Sequence, residues 1–352
     1  MKPSDALRIM KSVIKGGNSP FLIGGTGIGK SAVVDVLIEY LANDRKIVAD
    51  CINPKKNEYG SISFRLALYE SVDLGGVPVP VEVDDSFVQR RAFLGNLPIS
   101  GEGLLFFDEY GQASPSVQAV VGQLIYERRL GEYQLPEGWK IVCASNRATD
   151  RAGSNKLPSH VIGRTSLINF EHDTNDWMNW AMENDVHLDV MAFIQAMPNY
   201  LNVFDPKVIT PQPSPRSWVR LSDTLKTDPP RDLLQMISEA DVGEEASIEF
   251  TSFLSLKDKV PDLDAIVGGK DVEVADDNGL MYATCVALVT VLKEANKKQV
   301  GSFFKNSLKY VEKFPTPEYG IFFVRSVIGA RPELMDTATF SKFKVDNQDL
   351  EV

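Results

Sequence analysis

Gly24-Gly25-Thr26-Gly27-Ile28-Gly29-Lys30-Ser31 fits the pattern G-x-x-x-x-G-K-[ST], a glycine-rich turn that wraps phosphate. Its surroundings have the required form. The apolar run Phe21-Leu22-Ile23 predicts a short strand before it, and apolar spacing predicts a helix from Lys30 to about Leu41 after it. Glycines let backbone N–H groups turn toward an anion without a Cβ in the way, and a helix N-terminus adds positive potential. The stretch from Gly24 through Ala32 is therefore expected to cradle a nucleotide, with Lys30 on the β- and γ-phosphates and Ser31 on Mg²⁺.

Leu104-Leu105-Phe106-Phe107-Asp108-Glu109 supplies a second half. An apolar strand over Gly103–Phe107 delivers Asp108 to its carboxyl end, where open α/β sheets bind ligands. Asp108 is expected to complete the Mg²⁺ shell and Glu109 to act as the base on the attacking water. A GTPase reading is weaker. Asp73-Leu74-Gly75-Gly76 fits D-x-x-G, but Asn155-Lys156-Leu157-Pro158 lacks the Asp of a guanine-reading N-K-x-D.

Around these motifs, strands alternate with helices. Ile47–Ile52 and Lys140–Ala144 read as strands, and Pro115–Leu130 reads as a helix with Ser114 as N-cap. Pro3–Lys15 has the spacing of a short amphipathic helix. This alternation predicts an α/β core with a parallel sheet. Beyond about His172 the runs turn helical: Asp176–Met182, Leu188–Ala196, Pro215–Leu225, Asp232–Ala240 and Glu245–Leu256. After a Gly- and Asp-rich break at Val260–Asn278 come Gly279–Lys293, Val300–Lys313 and Glu318–Ile328, then an acidic tail.

Composition bounds the function class. The chain has 352 residues and a net charge of −11, with 43% hydrophobic residues, enough to bury a core unaided. The acid excess argues against a nonspecific nucleic-acid binder. Cys51, Cys143 and Cys285 are sparse and form no C-x-x-C, and there are three histidines, so a zinc site is not expected and a reducing, cytoplasmic setting is. No apolar run approaches the ~18 residues of a membrane span.

GGTGIGKS, LLFFDE, SPSVQAVVGQLIYERRLG and IVCASNR together resemble the core of AAA+ ATPases. INPKKNEYG, VDLGGVPVP, DEYGQASPSVQ, SNRATDR, LPSHVIGR and SPRSW, in that order, resemble the MoxR-like branch. The resemblance covers roughly residues 5–256. It implies a nucleotide-binding core over 1–172 and a helical lid over 173–258; beyond the resemblance, the helical runs predict a C-terminal helical extension over 259–352. It implies Mg²⁺-dependent ATP hydrolysis to ADP, with Asn146 as the polar sensor that positions water. It also implies Arg164 as a finger reaching the nucleotide of a neighbouring subunit, although Gly163-Arg164-Thr165 departs from the family's Asp-Arg-Phe, and Arg147 and Arg151 are rivals. Arg216 matches the lid arginine. Its place in the first turn of a helix is independently unusual, because a cation there opposes the helix dipole. A trans arginine implies a homo-oligomeric ring, in this family of six subunits. ATP turnover would then remodel or mature a partner protein, in this branch often one with a von Willebrand factor A domain. The Asp73–Pro80 stretch lies where the branch carries a pore-facing insertion, and its Gly/Pro content suits a mobile loop.

Other features read as structural. Trp139, Trp177, Trp180 and Trp218 are expected to pack, His160, His172 and His187 have no ligand spacing, and Glu127-Arg128-Arg129 is expected to be a solvated helix end. Two alternatives differ in class: a nucleic-acid-directed motor or loader on the same core, and an ATP-gated scaffold that scarcely hydrolyses.

Overall fold

The computed structural model describes residues 1–93, 95–150 and 157–347. These fall into two compact units, Met1–Asp173 with Asp205–Val208, and Thr174–Phe204 with Ile209–Val352.

The first unit begins with helix α1 (Pro3–Lys15), strand β1 (Pro20–Gly24), helix α2 (Lys30–Ala42) and strands β2 (Lys46–Ala49) and β3 (Glu58–Arg65). Helix α3 (Ser71–Gly75) and the hairpin β4 (Val77–Val83) and β5 (Ser86–Ala92) follow. Then come β6 (Gly103–Asp108), α4 (Pro115–Glu127), the short pair β7 (Arg129–Leu130) and β8 (Tyr133–Gln134), β9 (Trp139–Asn146), α5 (Ser159–Ile162) and β10 (Ser166–Phe170). Six strands form one sheet in the order β10-β1-β9-β6-β3-β2, parallel at every pairing.

Alternation along the strands sorts side chains to two faces. Leu105 and Phe107 of β6 join Ile62, Phe64, Ile141, Cys143 and the α4 residues Val117, Val121 and Leu124 in one core. Leu104 and Phe106 join Val142, Ala144, Ile168 and Phe170 with α1 and α2 in the other. The central strands are thus buried on both faces, which is why they read as continuous apolar runs. Gly60 and Gly103 make room for Trp139: a Cβ on Gly60 would lie 2.5 Å from the indole.

The second unit is helical. From α6 (Thr174–Glu183), α7 (Leu188–Ala196) and α8 (Pro215–Leu225) it continues through α9 (Leu234–Val242), α10 (Glu244–Ser255) and α11 (Leu263–Val267). It then runs through α12 (Asn278–Glu294), α13 (Val300–Val311) and α14 (Pro317–Ala330) to α15 (Ala338–Asp346). Trp177, Phe193, Trp218, Phe250, Leu288, Phe304 and Phe323 belong to a single buried core spanning this unit. The fold class is the expected α/β one, a parallel sheet flanked by helices, with a glycine-rich loop leading from β1 into α2 and a helical C-terminal region.

Several local expectations need correction. Asp73–Pro80 is not a loop. It holds most of α3 and the start of β4, whose hairpin turns at Asp84 and Asp85, both with positive φ, as two-residue hairpin turns require. Helix α4 stops at Glu127 because Arg128 adopts φ +54°, and Arg128 is no solvated end. Its guanidinium donates to the Pro136 and Trp139 carbonyls at 2.9 and 2.8 Å, fastening the turn into β9. Strands β3 and β10 and helices α11 and α15 were not anticipated. No helix of the described residues is long and apolar enough to cross a membrane.

Candidate functional site

The parallel register brings residues of four adjacent strands to the carboxyl edge of the sheet in two pairs. Gly24 of β1 pairs with Asn146 of β9, and Arg65 of β3 with Asp108 of β6, all at carboxyl ends. The sheet thereby gathers the two sequence motifs on one edge, which is where parallel sheets place ligands.

The glycine loop is shaped from below and left open at the helix. A Cβ on Gly24 would lie 2.5 Å from the Phe170 carbonyl and 2.9 Å from Ile28, whose side chain is itself buried and anchors the loop. Gly29 caps α2 at φ +98°, a conformation L side chains avoid, yet the space its Cβ would enter is empty. No side chain caps α2, so the first-turn N–H groups keep their capacity for an anion. Lys30 is 8% exposed and donates from Nζ to the carbonyls of Gly24 and Gly25 at 2.9 and 2.6 Å and to Asn146 Oδ1 at 2.8 Å. Thr26 at the loop's crest is exposed, and Ala32 is half-buried in the first turn of α2.

Ser31 Oγ faces Asp108 Oδ2 at 3.4 Å, while Asp108 Oδ1 accepts the Glu109 N–H at 2.8 Å. A hydroxyl opposed to a carboxylate is the all-oxygen donor set that suits Mg²⁺, so these two side chains fit the metal. Glu109 sits at φ +56°, unusual for a non-glycine residue. The turn that holds it there is pinned twice. Gly111 N–H donates to Ser145 Oγ at 3.1 Å, and the Tyr110 hydroxyl, fully buried, donates to the Gln118 carbonyl at 2.6 Å. Burial pushes the Tyr110 phenol well above its ordinary range, keeping it a neutral donor. Arg65, which sequence reading missed, approaches Glu109 Oε1 with Nε at 3.9 Å.

The structure thus brings Gly24, Gly25, Lys30, Ser31, Asp108, Glu109 and Asn146 together. Arg164, exposed, lies over the Tyr126 ring at 4.2 Å from guanidinium carbon to centroid. Arg147 is committed to the Phe170 carbonyl and Glu171 Oε1, each at 3.4 Å. Arg151 lies outside the described residues. Arg216 belongs to the second unit, exposed in the first turn of α8 behind the Ser214 cap. Asp73, the aspartate of the GTPase reading, is used in α3, where its Oδ2 accepts the Glu70 N–H at 2.8 Å to close a capping box.

No protein-family model and no curated protein sequence matches the chain. Among solved structures it is similar to the Thermotoga maritima RuvB Holliday junction branch migration motor, at 14% identity and a TM-score of 0.38, covering 83% of this chain and 75% of that one. A point mutant of the same motor matches at 15% identity and a TM-score of 0.37, covering 81% and 79%. At this level the likeness carries no functional argument, and the chemistry rests on the residues above.

Proposed function

We propose that this protein is an Mg²⁺-dependent ATPase of the AAA+ superfamily, of the MoxR-like branch, that works as a homo-oligomeric ring to remodel or mature a partner protein. The observation that supports it most is the gathering at the carboxyl edge of the sheet, where Lys30 meets Asn146 and Ser31 meets Asp108. In this reading the loop N–H groups and Lys30 bind the phosphates, the Lys30 ammonium exchanging neutral carbonyl acceptors for charged oxygens. Ser31 and Asp108 hold Mg²⁺, which when bound neutralises phosphate charge. Glu109 accepts the proton of the attacking water, and Asn146 orients that water. Arg216 acts within the subunit from the lid, 173–258, and Arg164 acts across to a neighbour. The region 259–352 is a C-terminal helical extension. A ring of six in the cytoplasm, with a von Willebrand factor A domain partner, completes the proposal on the strength of the sequence motifs.

The supporting evidence for Arg164 over Arg147 is electrostatic. Arg147 already has an anionic partner, whereas among the described residues no carboxylate pairs with Arg164. The central test is Glu109→Gln. Nucleotide binding should be retained while steady turnover falls by about 100-fold or more. Lys30→Ala should lose nucleotide binding in a fluorescent-nucleotide titration. Wild-type turnover in Glu109→Gln would sink the hydrolytic reading, and strong stimulation by DNA with a steep salt dependence would favour a nucleic-acid motor instead.

A further inference from the structure

We propose that Tyr126 is a positioning residue for Arg164: its ring is a shelf that orients the guanidinium for the phosphates held by a second copy of the chain. This rests on the reading of Arg164 as a trans arginine.

Tyr126 is a large aromatic at the last turn of α4, 62% exposed, beside the buried Leu124 and Ile125. Nothing about core packing requires a ring there. The Arg164 guanidinium covers it at 4.2 Å. Both partners are anchored on one buried core. The Arg164 N–H donates to the Val161 carbonyl at 3.0 Å and the Thr165 hydroxyl to the same carbonyl at 2.9 Å. Val161 is buried in the same core as Leu124 and Ile125.

The chemistry of stacking explains why a ring rather than an acid holds this side chain. A carboxylate would occupy the in-plane N–H fork and neutralise the charge. An aromatic face contacts the guanidinium through its π surface, restricting its rotamers while all five N–H donors stay in the plane, free for an outside anion. Arg147 shows the opposite arrangement, with its donors turned to Glu171 of its own subunit. A pre-oriented guanidinium loses less entropy on engaging a phosphate, so the effect belongs in turnover rather than in nucleotide affinity.

The experiment measures kcat and KM for ATP in the full chain for Tyr126→Ala, Tyr126→Phe, Arg164→Ala and the Tyr126→Ala/Arg164→Ala double variant. Tyr126→Ala should lower kcat about two- to fivefold with KM unchanged, the size of an exposed cation–π contact. Tyr126→Phe should stay near wild type, and in the Arg164→Ala background the Tyr126 effect should vanish. Wild-type kcat in Tyr126→Ala, equal losses in Tyr126→Ala and Tyr126→Phe, or an undiminished loss in the Arg164→Ala background would each overturn the proposal. Full turnover in Arg164→Ala alone would instead overturn the trans-arginine reading, and the shelf with it. Tyr126 is exposed, so the unfolding midpoint of Tyr126→Ala should match wild type; a lowered midpoint with kcat restored on cooling would assign the ring a structural role and also overturn the proposal.

Discussion

Lys30 holds its ammonium against two loop carbonyls and the Asn146 amide oxygen, all in a place where it is 8% exposed. An ammonium held on these carbonyl and amide oxygens stands to gain from an anion, since hydrogen bonds to charged oxygens are about twice as strong. Asn146 is thereby tied through Lys30 to the glycine loop. Asn146→Ala should lower kcat by about 100-fold while ATP still binds, checked by single-turnover hydrolysis; unchanged kcat would remove Asn146 from the site. Asp108 is divided between its two oxygens, one on the Glu109 N–H and one toward Ser31. Asp108→Asn should keep the first contact poorly and raise the Mg²⁺ concentration for half-maximal turnover, read by titrating Mg²⁺ at saturating ATP. These residues were legible in the sequence because glycine spacing and an apolar strand ending in Asp-Glu are local patterns. Arg65 and Tyr126 were not, because each acquires its partner only through register or packing, from residues 44 and 38 positions away.

Strands β3 and β10 show the limits of periodicity. Tyr59, Ile62 and Phe64 are buried, but glycine and serine between them hide the alternation in EYGSISFR. The order of β3 matters because only its pairing with β6 puts Arg65 beside Asp108. The hairpin β4–β5 was disguised by its prolines. Pro78 and Pro80 are two apart, so both nitrogens point to the same edge, away from β5, where no donor is needed. The helical elements were easier, since caps such as Ser114 and Ser214 mark their starts. Helix α7 carries a testable cap of its own. His187 Nδ1 accepts the Asp189 N–H at 3.3 Å, and burial lowers its pKa below the ordinary 6.5, against the opposing pull of Asp189. The unfolded imidazole then takes up a proton before the folded one does. Its contribution to stability is flat above about pH 6.5 and is lost as pH falls from there to the folded value. His172 is shifted the same way by burial, so His187→Gln should reduce, not abolish, the fall in melting temperature between about pH 7 and pH 5. An identical fall in both proteins would leave His187 untitrated. Trp218, fully buried with Nε1 donating to the Tyr200 carbonyl at 2.7 Å, packs on Phe193 and Phe250, and Trp218→Ala should cost about 3–5 kcal/mol by urea unfolding.

The net charge of −11 and the two-unit division set what the chain can do as one object. Self-repulsion favours solubility, while exposed Arg164 and Arg216 remain as positive points directed at phosphate in the proposed reading. A finger acting in trans makes turnover depend on assembly: activity per subunit should rise with protein concentration and level off, and mixing Arg164→Ala with Glu109→Gln subunits should restore part of it. Activity constant across dilution, in chains shown to be monomeric, would refute the trans role. Trp139 leads to one more consequence. Of the four tryptophans, it alone belongs to the first unit, sealed over Gly60 and Gly103, while Trp177, Trp180 and Trp218 belong to the second. In Trp139→Phe the tryptophan fluorescence becomes a report on the helical unit alone, and in the triple replacement of the others it reports the sheet-bearing unit alone. The protein therefore carries, ready made, two separable optical channels through which the order of unfolding of its halves, and the selective protection of one by nucleotide, can be followed without any added dye.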